Sequence, residues 1–526
     1  MKKIILSIAI LTLSFSVIAQ DNNEAAADTA SLTILREAVE AHPDSISAHQ
    51  KFIKAFKHSI PNATFQNEDS VLSLLESQYK NWMQQFPKSA AVPFALGDAY
   101  ANAESPKAKP YLLKALVIDP KFDKAYFDLW IDAERWGEFK KGQQYIKKAS
   151  ELQPDNPDYA FYFADTYENS DPQKYIALSL DVVKRFPNSE RGAQALYWLA
   201  FRSSDQKDKI EIYEQLKSKF PPEKFGWSAG AMSNYFDLLL QVNPAKALTL
   251  AQFMSHLKMS VDDTKEWGKQ AILAKQVDHA RKFLEEHKPA DAVKILSEVT
   301  VSRWSSALEA IKMLKAEAMD ADGNTSAAYD SLLVFFAKTP GEKTKEKLLN
   351  YGAKLGKNST QVKSDVLQKR YTNAKPAPPF NLLAYLTNDS VSLSDYRGKI
   401  VLLTFWFPGC GPCRGEFPHF QKVLSKFKGK DIVYIGINVS AEQNEYVVPF
   451  MKSSGYSFTP LHENGDRQEK SYKVRGEPTN FLIDQEGRIV FSDFMIQDLK
   501  AEQMLELMIS SMLANNPGQP GRITLN

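Results

Sequence analysis

The fold turns on the stretch Ile400-Val401-Leu402-Leu403-Thr404-Phe405-Trp406-Phe407-Pro408-Gly409-Cys410-Gly411-Pro412-Cys413. Its first eight residues are almost wholly apolar, as expected of a central strand covered on both faces. Cys410 and Cys413 follow directly, and they are the only two cysteines in 526 residues. Sulfurs spaced C-x-x-C can close a small ring, and a helix starting at the motif would set its positive end against the first sulfur, favouring thiolate. That is the chemistry of thiol–disulfide exchange. Taken alone the pair also fits half of a zinc site or a structural staple. Four-coordinate zinc needs further ligands and there is no second cysteine pair; a loop this short adds little stability when closed.

Outward from the motif the pattern stays β-rich. Downstream, Arg414 to Phe427 reads as an amphipathic helix bent or interrupted at Pro418. Asp431 to Val439 is a second buried strand and Glu442 to Ser454 a helix, and Gly465 to Val474 reads as helix leading to Gly476-Glu477-Pro478-Thr479. Asn480 to Ile483 and Arg488 to Phe491 form a hairpin around Gly487, and a helix over Leu499 to Leu513 closes the domain. Upstream, Phe380 to Leu386 and Ser390 to Leu393 pair around Asn388-Asp389. Before them Pro376-Ala377-Pro378-Pro379 marks a linker.

From about Asp28 to Asp365 the periodicity is helical. Pro87, Pro120, Pro154, Pro187 and Pro221 are spaced by 33, 34, 33 and 34 residues. Proline cannot continue a helix, so each marks the end of one helical hairpin. Leu96-Gly97, Tyr100, Ala115, Trp130, Gly142, Tyr145, Ala149, Ala160, Ala164 and Tyr167 sit inside these units in part as they do in tetratricopeptide repeats, which this region resembles. Ala307 to Pro340 is a further unit with its turn at Gly323-Asn324, whereas residues 222 to 306 are helical without a clear phase. Stacked hairpins bury most of their aromatics as core and also present a surface for a protein or peptide.

The first residues label a compartment. Met1-Lys2-Lys3 is a basic lead, Ile4 to Ile18 is apolar, and Val17-x-Ala19 fits a cleavage site, as in a secretory signal peptide. With serines and a threonine inside it, this run falls short of the roughly 20 apolar residues of a span. Composition is 44% hydrophobic and 24% charged with a net charge of +2, which gives no electrostatic case for nucleic acid. The expected division is 1–19 signal peptide, 20–365 helical repeats, 366–379 linker, 380–515 β-rich domain and 516–526 flexible tail.

Several separated motifs carry a more specific resemblance. Pro378-Pro379-Phe380, Val391 to Lys399 (VSLSDYRGK), Phe405-Trp406, the CGPC pair with Arg414-Gly415-Glu416-Phe417-Pro418, and Val474 to Asp484 (VRGEPTNFLID) together are similar to the TlpA-like exported thiol-disulfide oxidoreductases. The resemblance covers about residues 376 to 513. It implies an α/β thioredoxin-like domain there, so that with the repeats the expected protein is multidomain, an α-solenoid of tetratricopeptide-like hairpins followed by that domain. The resemblance implies Cys410 as the exposed attacking thiolate and Cys413, one helical turn further in, as the resolving thiol of a redox-active disulfide. Pro478 would be the cis-proline facing them, with Glu477 and Thr479 holding substrate backbone, and Glu416 would tune or relay the proton of Cys413.

The resemblance implies no cofactor beyond the cysteine pair and no metal. It places the protein in the periplasm or otherwise outside the cytoplasm, acting on exported thiol or disulfide proteins, with electrons from a membrane donor of DsbD or CcdA type. Two positions depart from cytoplasmic thioredoxins: Gly409 stands where they carry tryptophan, and Thr404 where they carry a buried aspartate. The Gly-Pro pair between the cysteines favours a reductase. The alternatives are a thiol peroxidase of the peroxiredoxin type, for which Phe407 stands where threonine or serine is wanted, and a repeat-based adaptor with a secondary redox domain.

Overall fold

The computed structural model describes residues 31–61, 68–257, 260–372, 374–463 and 471–514. The leader at 1–19, the tail at 516–526 and most of the helix expected from Gly465 lie outside these. The chain divides into two compact units, Met1–Gln153 and Pro154–Asn526. The division falls inside the helical array, at one of the periodic prolines.

The first unit is built of helices, among them the hairpins Ala91–Asn102 with Ala108–Ile118 and Asp123–Arg135 with Phe139–Leu152. Small residues let paired helices approach: a Cβ on Gly97 would stand 2.9 Å from Leu112 Cδ2. Tyr79, Trp82, Tyr100, Leu112 and Ala115 are fully buried in its core.

The second unit continues with Pro157–Asp165 and Pro172–Arg185, then Glu190–Arg202 and Gln206–Lys219. The helices ending at Gln85, Ile118, Leu152, Arg185 and Lys219 each stop two residues before a periodic proline, as the spacing predicts. The unphased stretch resolves into Gly226–Val242, Pro244–Ser255, Val261–Glu285 and Pro289–Glu298. Helices of 17 and 25 residues break the period there. Leu308–Ala321 and Thr325–Lys338 turn at Gly323, which takes φ +83°, and Asn324 caps the second helix through its side chain. The last helix, Ser359–Tyr371, runs further along the chain than residue 366, where the linker was expected to begin.

A six-stranded mixed sheet follows, made of β1 (Lys375–Pro376), β4 (Ile400–Trp406), β5 (Ile432–Asn438), β6 (Thr459–His462), β7 (Thr479–Ile483) and β8 (Arg488–Ser492) in the order β1-β8-β7-β4-β5-β6. β4, β5 and β6 are parallel, and β7 is antiparallel to β4. β2 (Asn381–Leu383) and β3 (Ser390–Ser392) form the separate hairpin, with Asn388 at φ +61° in its turn. Every residue of β4 is buried. Val401, Leu403 and Phe405 join Phe380, Leu382, Tyr472 and Phe481 on one face. Trp406 packs on the other against Phe417 and Phe458, with ring centroids 5.3 and 5.0 Å away. Two helices cover this second face: Gly411–Ser425, which continues through Pro418, and Leu499–Leu513.

Within the second unit the β-rich domain is seated on the later helices. Arg370 donates to Ala337 O at 3.0 Å and Ser511 Oγ at 2.7 Å, and its guanidinium lies 4.8 Å from the Phe491 ring centroid. Lys500 pairs with Glu309 at 2.8 Å.

Candidate redox site

The helix Gly411–Ser425 begins inside the cysteine motif, with Cys410 as its N-cap and Pro412 in the first turn. Cys410 Sγ accepts the backbone N–H of Cys413 at 3.2 Å, so the first sulfur sits at the positive end of the helix dipole. Cys410 and Cys413 are joined as a disulfide. Cys410 is 4% exposed and Cys413 fully buried, so the first sulfur is covered and not exposed as the resemblance implied. Cys410 ends a turn that starts at Phe407 and is closed by Cys410 N–H to Phe407 O at 3.0 Å.

That turn is pinned from the side by a residue the sequence reading missed. Gln443, 1% exposed and following β5, accepts the Gly409 N–H at 2.6 Å. A Cβ at Gly409 would stand 2.8 Å from the Gln443 amide nitrogen. A side chain at position 409 would have to displace the Gln443 amide.

Pro478 follows a cis peptide bond, as the resemblance implied. Strand register gives its position: Thr479 pairs with Phe405 and Asn480 with Thr404, so Pro478 comes at the end of β4 from which the cysteine loop leaves. Thr479 ties its hydroxyl to Gly476 O at 2.7 Å within the same turn. Glu477 is half-buried beside it.

Glu416, one helical turn beyond Cys413, is fully buried rather than on a helix surface. Its Oε2 accepts from Asn480 Nδ2 at 2.8 Å and its Oε1 from Ile496 N–H at 2.6 Å. Burial pushes its carboxyl up to about 7, against a smaller opposite pull from those two donors. Thr404, at the place of the thioredoxin aspartate, bonds Asn480 Oδ1 at 2.8 Å and lies 3.3 Å from the Tyr434 hydroxyl. His419 is bound to Glu502 at 2.7 Å, and His462 stacks on Tyr385 with centroids 3.4 Å apart; neither belongs to the Glu416 network. Asn480 and Thr404 had one signal in the sequence, polar side chains inside otherwise apolar strands, where burial demands a partner.

Residues 374–492 match the AhpC/TSA family. Among curated relatives, the thiol-disulfide oxidoreductase ResA of Bacillus thuringiensis subsp. konkukian is 33% identical over 132 residues, which are 25% of this chain and 72% of that protein. ResA of Bacillus subtilis is 39% identical over 115 residues, 22% of this chain and 63% of that protein. Among solved structures, the thioredoxin domain of a thiol-disulfide oxidoreductase from Bacteroides vulgatus is 27% identical, covering 26% of this chain and 96% of its own, with a TM-score of 0.24. A thioredoxin-like sheet with a C-x-x-C pair at a helix N-terminus defines a dithiol–disulfide exchange domain. Within that class the chain belongs to the ResA-like thiol-disulfide oxidoreductases.

Proposed function

We propose that the protein is an exported disulfide reductase that acts on proteins through Cys410 and Cys413 and recruits them through its helical repeats. The observation that carries this reading is the seating of the cysteine pair: Cys410 at the helix N-terminus, Cys413 buried one turn in, and the Glu416 carboxyl a turn further. Reduced Cys410 as thiolate attacks one sulfur of a client disulfide; that bond breaks and its electron pair leaves on the other client sulfur. Cys413, giving its proton to Glu416, then attacks Cys410 Sγ and expels the second client thiolate. The client gains two electrons and the enzyme ends as the disulfide. In this reading Pro478, Glu477 and Thr479 line the docking place of the client backbone, and no cofactor takes part beyond the cysteine pair.

Export rests on the leader at 1–19, and among the described residues no helix is long and apolar enough to cross a membrane. Outside the cytoplasm, re-reduction requires electrons carried across the membrane, which fits a donor of DsbD or CcdA type. The tetratricopeptide character of the helices that end at Tyr371, followed by a redox domain whose sheet begins at Lys375, belongs to the same proposal.

Expressing Cys413→Ala is the direct test. Mixed disulfides should accumulate on Cys410 and be released by reductant, and their partners will include clients and donor. Absence of reductant-sensitive adducts would rule out exchange. A thiol peroxidase is favoured by one observation, the AhpC/TSA match over 374–492. It requires peroxide to oxidise Cys410 faster than a free thiol, which stopped-flow measurement decides. The adaptor reading requires instead that a Cys410→Ser/Cys413→Ser double variant keep its biological effect.

A further inference from the structure

Asn480 lies on β7, two residues after cis-Pro478, and is fully buried. Its amide nitrogen has two hydrogens and both are committed, one to Glu416 Oε2 at 2.8 Å and one to the backbone carbonyl of Phe494 at 2.9 Å. Its oxygen accepts from Thr404 Oγ1 at 2.8 Å. A backbone carbonyl only accepts, so Phe494 fixes which end of the amide is nitrogen, whatever the charge on Glu416. The other oxygen of Glu416 meets the Ile496 N–H at 2.6 Å, again a group that only donates.

Both carboxyl oxygens therefore face donors that cannot turn into acceptors. A proton placed in either bond would set hydrogen against hydrogen. The two donors favour the anion, while burial in the sheet–helix layer favours the neutral acid. From the elements packed around it, the titratable groups are Cys413 on its own helix and Tyr434 on β5, whose hydroxyl feels the Glu416 charge. His419 and Lys422, further along the helix, are engaged by Glu502 at 2.7 Å each. Among the described residues no lysine or arginine pairs with Glu416. Its hydrogen-bond partners there are neutral donors.

We propose that Asn480 is a positioning residue of the exchange reaction: its backbone-locked amide holds the Glu416 carboxyl as the acceptor of the Cys413 proton. This rests on the reading that Glu416 takes that proton. Residues three apart on a helix share a face, which puts the Glu416 carboxyl and the Cys413 sulfur on one side of it. When Cys413 S–H gives its proton to Glu416, the Asn480 bond is weakened in the step that frees the thiolate. It is restored when the proton leaves. The amide sets how strongly the carboxylate draws that proton.

The test uses the full chain, reduced, and follows the resolving step against pH by rapid mixing with a mixed-disulfide-forming reagent, with thiolate absorbance in parallel. The wild type should give an inflection that Glu416→Gln abolishes. Asn480→Ala should move it upward by about one pH unit, a tenfold change in proton affinity. Asn480→Leu, of similar size but without a donor or a charge, should move it in the same direction, and serves if the alanine variant does not fold. Thr404→Val frees only the amide oxygen and should leave the inflection in place.

A loss of thermal stability in both Asn480 variants with an unmoved inflection would make the residue purely structural and overturn the proposal, while the Glu416 reading survived. An inflection retained in Glu416→Gln would instead overturn that reading and the proposal with it.

Discussion

Glu416 joins burial to chemistry in one side chain. Its carboxyl ordinarily titrates near 4.5, and burial, the largest influence, raises it to about 7 in the folded protein. The folded state therefore binds this proton more tightly than the unfolded chain does. The stability this contributes is complete below about pH 4.5 and is lost as the pH rises through about 7. Urea unfolding at pH 5 and pH 8 should show the wild type losing more stability than Glu416→Gln over that interval. The difference should be on the order of 3 kcal/mol at most. An equal loss in both would place the titrating group elsewhere. The cysteine pair, Glu416 and Pro478 were legible because each is a fixed residue type at a fixed spacing. Asn480 and Gln443 were not, because what they do depends on which backbone group faces them across the fold. An asparagine in an apolar strand announces that it needs partners without saying which.

At the scale of the element, close approach governs. Gly436 on β5 lies where a Cβ would come within 2.7 Å of both the Phe458 ring and Trp406 Nε1, in the aromatic layer beneath the motif helix. Gly436→Ala should destabilise by roughly 1–3 kcal/mol through overpacking, measured as a lower urea midpoint at unchanged slope. Gly409→Ala meets the Gln443 amide instead and should alter the cysteine loop more than global stability. Its expected signature is a changed rate of Cys410 exchange with little movement in melting temperature. Element boundaries were readable where end signals are chemical. The closing helix begins at Leu499 because Asp498 caps it through the Ala501 N–H at 2.7 Å. β6 escaped notice because it is four residues long and contains Pro460, which marks an edge strand, and an edge is its place in the sheet. The helices after residue 222 lost their phase because Val261–Glu285 is too long for the period that the prolines announce.

Across the whole of the second unit, the decisive residue is Arg370. It is 6% exposed and makes no ion pair among those described; burial pulls its guanidinium down to about 10. Its partners are a carbonyl, a hydroxyl and an aromatic face, and two of the three lie beyond the proline segment. Arg370→Ala should cost about 2–3 kcal/mol from the lost charged hydrogen bonds and speed proteolytic cleavage between Thr372 and Pro379. Cleavage at the wild-type rate would mean that this seating is not what protects the segment. The prolines at 376, 378 and 379 mark a linker, and a single buried arginine and the Lys500–Glu309 pair join what it separates.

On the proposed function, seating of this kind changes how often the redox centre meets a client. A domain on a slack tether sees a neighbouring ligand at a concentration set by tether length, falling off as the tether grows. Here the cysteine pair stands in one frame with helices 157–371, so for a client bound on those helices encounter becomes a question of reach. On the proposed recruitment, a client whose disulfide can span the distance would react as an intramolecular partner, and one whose disulfide cannot would be refused however tightly it binds.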